Sequence, residues 1–546
     1  MRKTIVALCL MAAAACGQVG NDNVTGRITD ENGRPVAGVR VSDGREIVTT
    51  DARGRYRMLS DKSSGMVFVI TPSGYSAPCR DGLTPSFYSA LTEPADRTEK
   101  HDFQLESVGQ SRYTALFVTD VHLTNEAPKD DIRYYTDSIA PFLRNTAERF
   151  SADGPVYCFN LGDLSHDLYW YRNGHTVADA CNVLKNTGFP APLYSIPGNH
   201  DNDPAVTTDN TDFDAGHLFR KSFGPEYYSL DIGGDHYLML DDVIYVNTPG
   251  QGKKTEGVKG ARDYYGGFTR AEMDFIRKDL EYVPSSSRVF VCVHCPILKG
   301  SNGTYFKDEA QVDTLNSLLS RFSYSRIFAG HAHKWAFVES SRFKGMTNYT
   351  FTALSGSMWT TAPDKLLGTH GEAAGLMAMR SSADTVVYQC VSPRDPESSM
   401  RIYDMNEVHS YYRGNPHVRE YFSAHPGWGC DYGGPGFRNK VYVNCWTVAP
   451  GFRLRAFECG KELEVKMVSD EDPLHFVNYF FPKVAGPFYS DGQKYHSCSH
   501  MYSVQAGSPD ADIRIILEDT SGIPVRDTVF RRPAAFNPVL QMPSVH

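Results

Sequence analysis

Five apolar runs in this chain each end in residue types that bind metal ions. Ala115-Leu-Phe-Val-Thr leads into Asp120-Val-His122, and Val156-Tyr-Cys-Phe-Asn-Leu into Gly162-Asp163. Leu193-Tyr-Ser-Ile-Pro leads into Gly198-Asn199-His200-Asp201. Val289-Phe-Val-Cys-Val ends in His294, and Arg326-Ile-Phe-Ala in Gly330-His331-Ala332-His333. Each run reads as a strand, and in an open α/β fold binding sites form beyond the carboxyl ends of strands. Five such endings converge on one crevice. Asp120 and His122 are two apart, so both can project to the same side, and His331 and His333 share that spacing. Gly162, Gly198 and Gly330 precede candidate ligands, where a tight turn asks for an unusual backbone.

Taken in order, the motifs are Asp-x-His, Gly-Asp, Gly-Asn-His-Asp, His-x-Pro (His294-Cys295-Pro296) and Gly-His-x-His, spread over about 215 residues. The set resembles the calcineurin-like metallophosphoesterases. That resemblance implies a four-layer α/β core, a β-sandwich flanked by helices, carrying two transition-metal ions drawn from iron, manganese and zinc. The mixed imidazole, carboxylate and amide donors suit all three. By the same resemblance one ion is held by Asp120, His122, Asp163 and His333. The other is held by Asp163, Asn199, His294 and His331, with Asp163 bridging. His200 is no ligand in this scheme; it faces the substrate, with Asp201 orienting its ring.

The implied reaction is hydrolysis of a phosphate ester. Two ions about 3.5–4 Å apart can activate a bridging water and clamp the phosphoryl oxygens. The hydroxide attacks phosphorus in line while His200, as general acid, protonates the leaving alkoxide. Only Asp120 and Asp163 are charged among the seven ligands, so two dications leave a site of roughly +2. The motifs do not choose between monoester and diester or name the substrate, since loops and neighbouring domains set its size. A core that has lost turnover and serves as a surface binding scaffold is the alternative class. Loss of His200 or Asp163 would mark it, and both are present.

Other candidates have plainer readings. His166, Asp167, His175, His370, His496 and His500 read as solvated or hydrogen-bonded groups, with Asp167 structural rather than a ligand. Trp170, Trp359 and Tyr305 read as packing first and as cleft lining second. Cys292-Val-His-Cys295 spells C-x-x-C within a strand, where positions three apart face opposite sides.

The elements that position these residues fall into regions. Residues 24–106 show short strands at regular spacing: Val24 to Ile28, then alternating Arg55, Tyr56, Arg57, Met58, then Met66 to Thr71. They predict a β-sandwich and resemble the carboxypeptidase-regulatory-like modules of bacterial exported proteins. Residues 112–362 alternate strand and helix patterns, which predicts the α/β layered core. Helices are expected over Asp131 to Phe150, kinked near Pro141, over 270–280 behind a Thr269-x-x-Glu272 capping box, and over Asp308 to Leu319. Residues 363–546 return to short strands, including Val386 to Gln389, Met400 to Tyr403, Lys440 to Trp446, Leu454 to Phe457 and Asp512 to Glu518. They predict a second β-rich domain.

The amino terminus reads as an export signal. Arg2 and Lys3 precede an apolar run, Ile5 to Ala15, too short to span a bilayer. Ala13-Ala14-Ala15-Cys16 resembles a bacterial lipobox, in which Cys16 takes the lipid and anchors the protein to a membrane. The same residues also suit ordinary cleavage after residue 15. The periplasm or outer membrane is the expected location. The 546 residues predict three or four domains. A net charge of −9 argues against a nucleic-acid scaffold, which needs a basic footprint.

Overall fold

The computed structural model describes residues 22–79, 81–127, 129–250, 255–359, 366–393, 400–446, 451–480, 497–519 and 522–538. The expected signal segment with Cys16, and His496, lie outside the described residues.

Two sheets form the core. One runs Leu193–Ser195, Val156–Asn160, Arg112–Val118, Leu376–Ser382, Val386–Val391. The other runs Tyr228–Ile232, Asp235–Met239, Arg288–Cys292, Tyr324–Ala329, Thr347–Thr350, Ala336–Glu339. The strands that end in candidate ligands pair in parallel, so their carboxyl ends open on one edge. Side-chain alternation builds the layers. Ala115, Phe117, Tyr157 and Phe159 face Tyr237, Phe290 and Phe328 between the sheets, with Phe159 and Tyr237 stacked at 4.8 Å. The alternate residues Leu116, Val118 and Cys158 meet Leu143, Ala147, Phe150, Ala180 and Leu184 on one outer face. Val289, Val291 and Ile327 meet Met273, Ile276, Leu280, Val312 and Leu315 on the other. This is the four-layer α/β sandwich.

The helices start where their caps dictate. Thr269 accepts from the Glu272 amide and opens Arg270–Tyr282, and Asp308 caps Glu309–Leu319. The 131–150 stretch is one rod in three pieces, with a π-helical turn over Tyr135–Ile139 inserted just before Pro141. Proline has no amide to donate, and the widened turn absorbs that loss.

The core reaches further than residue 362. Leu376–Ser382 pairs antiparallel with Arg112–Val118, and Val386–Val391 edges the same sheet. The Val386 strand, read as part of the C-terminal domain, therefore belongs to the core. The strand it hairpins with, Leu376–Ser382, pairs with residues 260 to 270 positions upstream, and local pattern cannot show such a pairing.

The N-terminal module holds two four-stranded sheets, one around Val24–Thr29 and one around Arg40–Ser42 and Met66–Ile70, and a two-stranded pair, Tyr75–Ser76 with Glu106–Ser107. Its apolar residues are continuous with the core cluster, and Phe68 meets Phe275 edge-on at 5.9 Å. The C-terminal domain stacks two four-stranded sheets through Val441, Val443, Leu454, Ala456, Ile513 and Ile515. Two helices, Met405–Gly414 and Pro416–Ala424, also belong to it. No described helix is long and apolar enough to cross a membrane.

Candidate metal centre

The strand ends bring the predicted donors together in left-handed turns. Asp120, His122, Asp163, His331 and His333 all have φ between 49° and 65°. Five non-glycine residues in that sparsely populated region mark backbone held for a purpose. The expected strain therefore falls on the ligand-type residues, while Gly162 (φ 93°) shares it. Gly198 and Gly330 are needed for room instead. A Cβ on Gly198 would collide with the Asp163 carboxylate, and one on Gly330 with Thr119 Oγ1 and Asp120 Oδ2.

Hydrogen bonds fix the ring tautomers. His122 Nδ1 lies 3.2 Å from the Ser165 carbonyl, His294 Nδ1 2.8 Å from Leu161 O, and His333 Nδ1 2.8 Å from Gly356 O. A carbonyl oxygen only accepts, so each Nδ1 carries a proton, which leaves each Nε2 to bind a metal ion or, while none is bound, a second proton. These Nε2 atoms converge on carboxylate and amide oxygens and on one another. His122 Nε2 and His333 Nε2 are 3.0 Å apart, and His333 Nε2 is 3.3 Å from Asp120 Oδ1. His294 Nε2 lies 3.1 Å from Asn199 Oδ1 and 3.3 Å from Asp163 Oδ2. Asp163 Oδ2 is also 3.8 Å from His122 Nε2, so that carboxylate stands between the two groups. Asp120 Oδ1 is buried without a hydrogen bond. Nitrogen and carboxylate atoms gathered this closely in a buried pocket need positive charge between them, and this donor chemistry fits transition metals anchored through outer carbonyls. His331 joins the His294 side; its amide donates to Asp120 Oδ2 at 2.8 Å, and Tyr264 Oη lies 3.5 Å from its Nε2.

The carboxylates are ionised in spite of their surroundings. Burial raises Asp120, but His333 beside it outweighs that and brings it down to about 2. Asp163 is likewise buried yet held well below the carboxylate range, by His294 and His200.

His200 sits at the rim, its amide donating to Asp163 Oδ1 at 2.8 Å. Its partner is not Asp201. The Asp201 carboxylate turns inward and accepts from Ser165 N and Oγ, both at 2.9 Å, from Gly198 N at 3.1 Å and from Leu164 N at 3.2 Å. Neighbouring residues in a turn point apart, so Asp201 braces the two ligand loops. The ring belongs to Asp167, whose Oδ1 lies 2.7 Å from His200 Nδ1. Arg262 clasps the same carboxylate through Nε and Nη2, with Nη2 2.6 Å from His200 Nδ1. Burial alone would raise Asp167; His166, His200 and Arg262 hold it far below the usual range. The sequence carries a signal for Asp167, an acid four residues past the Gly-Asp turn, but the spacing alone reads as structural. It offered none for Arg262, which arrives on a distant hairpin with its amide bound to Asn247 Oδ1.

Trp170 and Trp359 are buried, and their indole N–H groups donate to Ser165 Oγ and Val121 O, so both support ligand loops from behind. Tyr305 is exposed beside Lys299. Cys292 and Cys295 form no disulfide, and the ten described cysteines are all free.

A four-layer sandwich whose strand ends gather two groups of buried imidazole and carboxylate donors defines a metal-dependent phosphoesterase. Residues 113–335 match the family model "Calcineurin-like phosphoesterase", and residues 22–108 match "N terminal of Calcineurin-like phosphoesterase". Residues 113–335 are a calcineurin-like phosphoesterase domain, preceded by that family's N-terminal domain. Similar solved structures include a dimetal phosphatase from Danio rerio, at 13% identity over 52% of this chain and 99% of that one, TM-score 0.32. Another is PhoD, at 9% identity over 65% and 81%, TM-score 0.32. A third is a 5'-nucleotidase from Candida albicans, at 12% identity over 52% of each chain, TM-score 0.27. No curated protein matches.

Proposed function

We propose that this crevice hydrolyses a phosphate ester with His200 as the general acid, and that Asp167 and Arg262 hold its ring in place. The observation that carries the reading is the convergence of His122, His294 and His333 Nε2 on Asp120 and Asp163, each ring locked through Nδ1. Asp120, His122, Asp163 and His333 would hold one ion, and Asp163, Asn199, His294 and His331 the other. Such a pair supplies Lewis acidity for the phosphoryl oxygens and an activated water. His200 stands beside both groups without being spent on either, its Nδ1 held at Asp167 and its other nitrogen left for a leaving alkoxide. Tyr264 beside His331 and Arg262 beside His200 flank the space over the donors. Arg262 is committed to Asp167, so it positions rather than contacts the phosphate.

The test is metal-loaded protein against chromogenic phosphate mono- and diesters. Turnover of at least one class is expected; none with either, at full metal content, sinks the reading. Asp163→Ala should lower metal content, and unchanged metal analysis would remove it from the shared position.

We further propose that the protein works outside the cytoplasm, held to a membrane through a lipid on Cys16. The basic Arg2 and Lys3, the short apolar run and Ala13-Ala14-Ala15-Cys16 support this. Mass spectrometry of the mature N-terminus checks it; an unprocessed Met1 sinks it.

A further inference from the structure

A second group of soft donors is buried where the C-terminal domain meets the core. His370 lies in the connection between the core strands Thr347–Thr350 and Leu376–Ser382, while Cys498 and His500 lead into strand Met501–Gln505. One donor atom of each lies within 4.8 Å of the other two. Cys498 is 1% exposed, His370 and His500 5% each. At that depth no substrate reaches the thiol, so a catalytic nucleophile is excluded.

Hydrogen-bond counting shows what the group lacks. Asn444 Nδ2 spends both protons, on His370 O and on Asp472 Oδ2, each at 2.8 Å. Its Oδ1 is then an acceptor, and it faces His500 Nδ1 at 2.7 Å and Cys498 Sγ at 3.8 Å. His500 Nε2, on the other side, is buried with no hydrogen bond of its own. The Trp335 carbonyl, another acceptor, lies close enough to the ring to favour a proton there. A neutral imidazole has one N–H. Placed on Nδ1, it leaves a bare lone pair at Nε2 in the interior. Placed on Nε2, it sets the Nδ1 lone pair against Asn444 Oδ1. A doubly protonated ring answers both demands but places a charge on a residue only 5% exposed.

A cation on Nδ1 removes the conflict and leaves Nε2–H for the interior. Cys498 Sγ lies 3.4 Å from His500 Nδ1. A tetrahedral zinc with bonds of about 2.3 Å to sulfur and about 2.0–2.1 Å to nitrogen has an S···N edge of about 3.5 Å. We propose that Cys498, His500 and His370 form a structural site for a zinc-type dication. Thiolate with two imidazoles is a donor set that such an ion takes readily. Asp472 and Glu372 lie near enough to act on the Cys498 sulfur, as does Lys334.

The site would serve the catalytic centre from behind. Thr369, next to His370, donates through N (2.8 Å) and Oγ1 (3.3 Å) to the His333 carbonyl. Glu372 accepts from Trp335 N at 2.6 Å and His370 N at 3.0 Å. An ion on His370 therefore pins the loop that backs His333 to a strand of the C-terminal domain.

The test is metal analysis of the full chain, reconstituted with zinc and desalted. The native protein should retain about three equivalents and Cys498→Ser about two. Cobalt reconstitution gives a second readout on the native protein alone, a thiolate-to-cobalt charge-transfer band. That band should persist in Cys295→Ser, whose sulfur neighbours the catalytic donors, and vanish in Cys498→Ser. Two equivalents or fewer in the native protein, equal metal in native and Cys498→Ser, or a native protein without the band overturns the site. If Cys498→Ser does not fold, the native count and band decide alone.

Discussion

At the scale of single residues, the proposed acid is defined by what it does not touch. His200 lies against Asp163 only through its amide, so removing its side chain leaves the donors intact. His200→Ala should keep its metal and lose turnover by about 10²–10⁴-fold, the usual worth of a general acid. Full activity would remove it from the chemistry. Asp167 and Asp201 separate two roles that the sequence ran together. Asp167→Asn should cut turnover with little change in metal content, while the melting temperature falls because buried Arg262 loses its partner. Asp201→Asn should lower both stability and metal content, because four donors of the two ligand loops close on that carboxylate. Kinetics and metal analysis on the pair check this; the reverse pattern would restore Asp201 as the orienting group. The donor set was legible because each member stands at the end of an apolar run. The ring's true partners were not, because a turn's side-chain directions and a contact across 95 residues leave no periodic trace.

At the scale of elements, strands and caps were readable and long pairings were not. The alternation that puts Phe117 inward and Leu116 outward is written in the residues, as is the Thr269 cap. That Leu376–Ser382 returns to pair with Arg112–Val118 is not, since antiparallel register across such a distance has no local signature. The turns carry a sharper demand. Gly330→Ala drives a methyl into Thr119 and Asp120, so metal affinity should fall about 10- to 100-fold while the fold survives, as expected when a ligand's support shifts. Unchanged affinity would show that the loop can yield. A second demand lies in the strand and helix ends near the N-terminal module. Asp241 shares a region with Glu226, Asp212 and Glu272, with Arg220 paired to Glu226. Burial, then the three acids, raises Asp241 well above its ordinary range. Burial also brings Asp212 up to about 6 and Glu226 up to about 7. An acid whose folded pKa is raised binds its proton more tightly when folded, so stability falls as pH rises through that interval. Melting temperature should therefore decline from about pH 4 to about pH 7. Asp241→Asn should raise it at about pH 8 and change little at about pH 4 or below, where the acid is largely protonated in both states.

At the scale of the whole molecule, the N-terminal module and the catalytic core are locked by charge as well as by apolar contact. Arg40, from the module, reaches Asp279 at 2.8 Å and Asp231 at 2.6 Å, on a helix and a strand of the core. His236 lies between the same two acids, at 2.7 Å from Asp231 and 2.9 Å from Asp279. Two cations and two anions balance in a site from which water is nearly excluded. Burial works against a charged His236, but Asp279 and Asp231 override it and push the ring up to about 9. Its folded pKa thus lies above the unfolded value near 6.5, so its stabilisation is complete below about pH 6.5 and is lost as pH rises through 9. Arg40→Met removes one cation and leaves the two carboxylates with a single partner. Breaking one member of a buried set costs about 3–5 kcal/mol. Urea titration at pH 7 should show that loss. The loss should grow toward pH 9, where the last cation also discharges. Arg40→Met with Asp279→Asn restores neutrality and should recover a large part of it. A double variant no more stable than the single one would mean that Arg40 acts through packing on the core, and that charge has no part in holding the module to it.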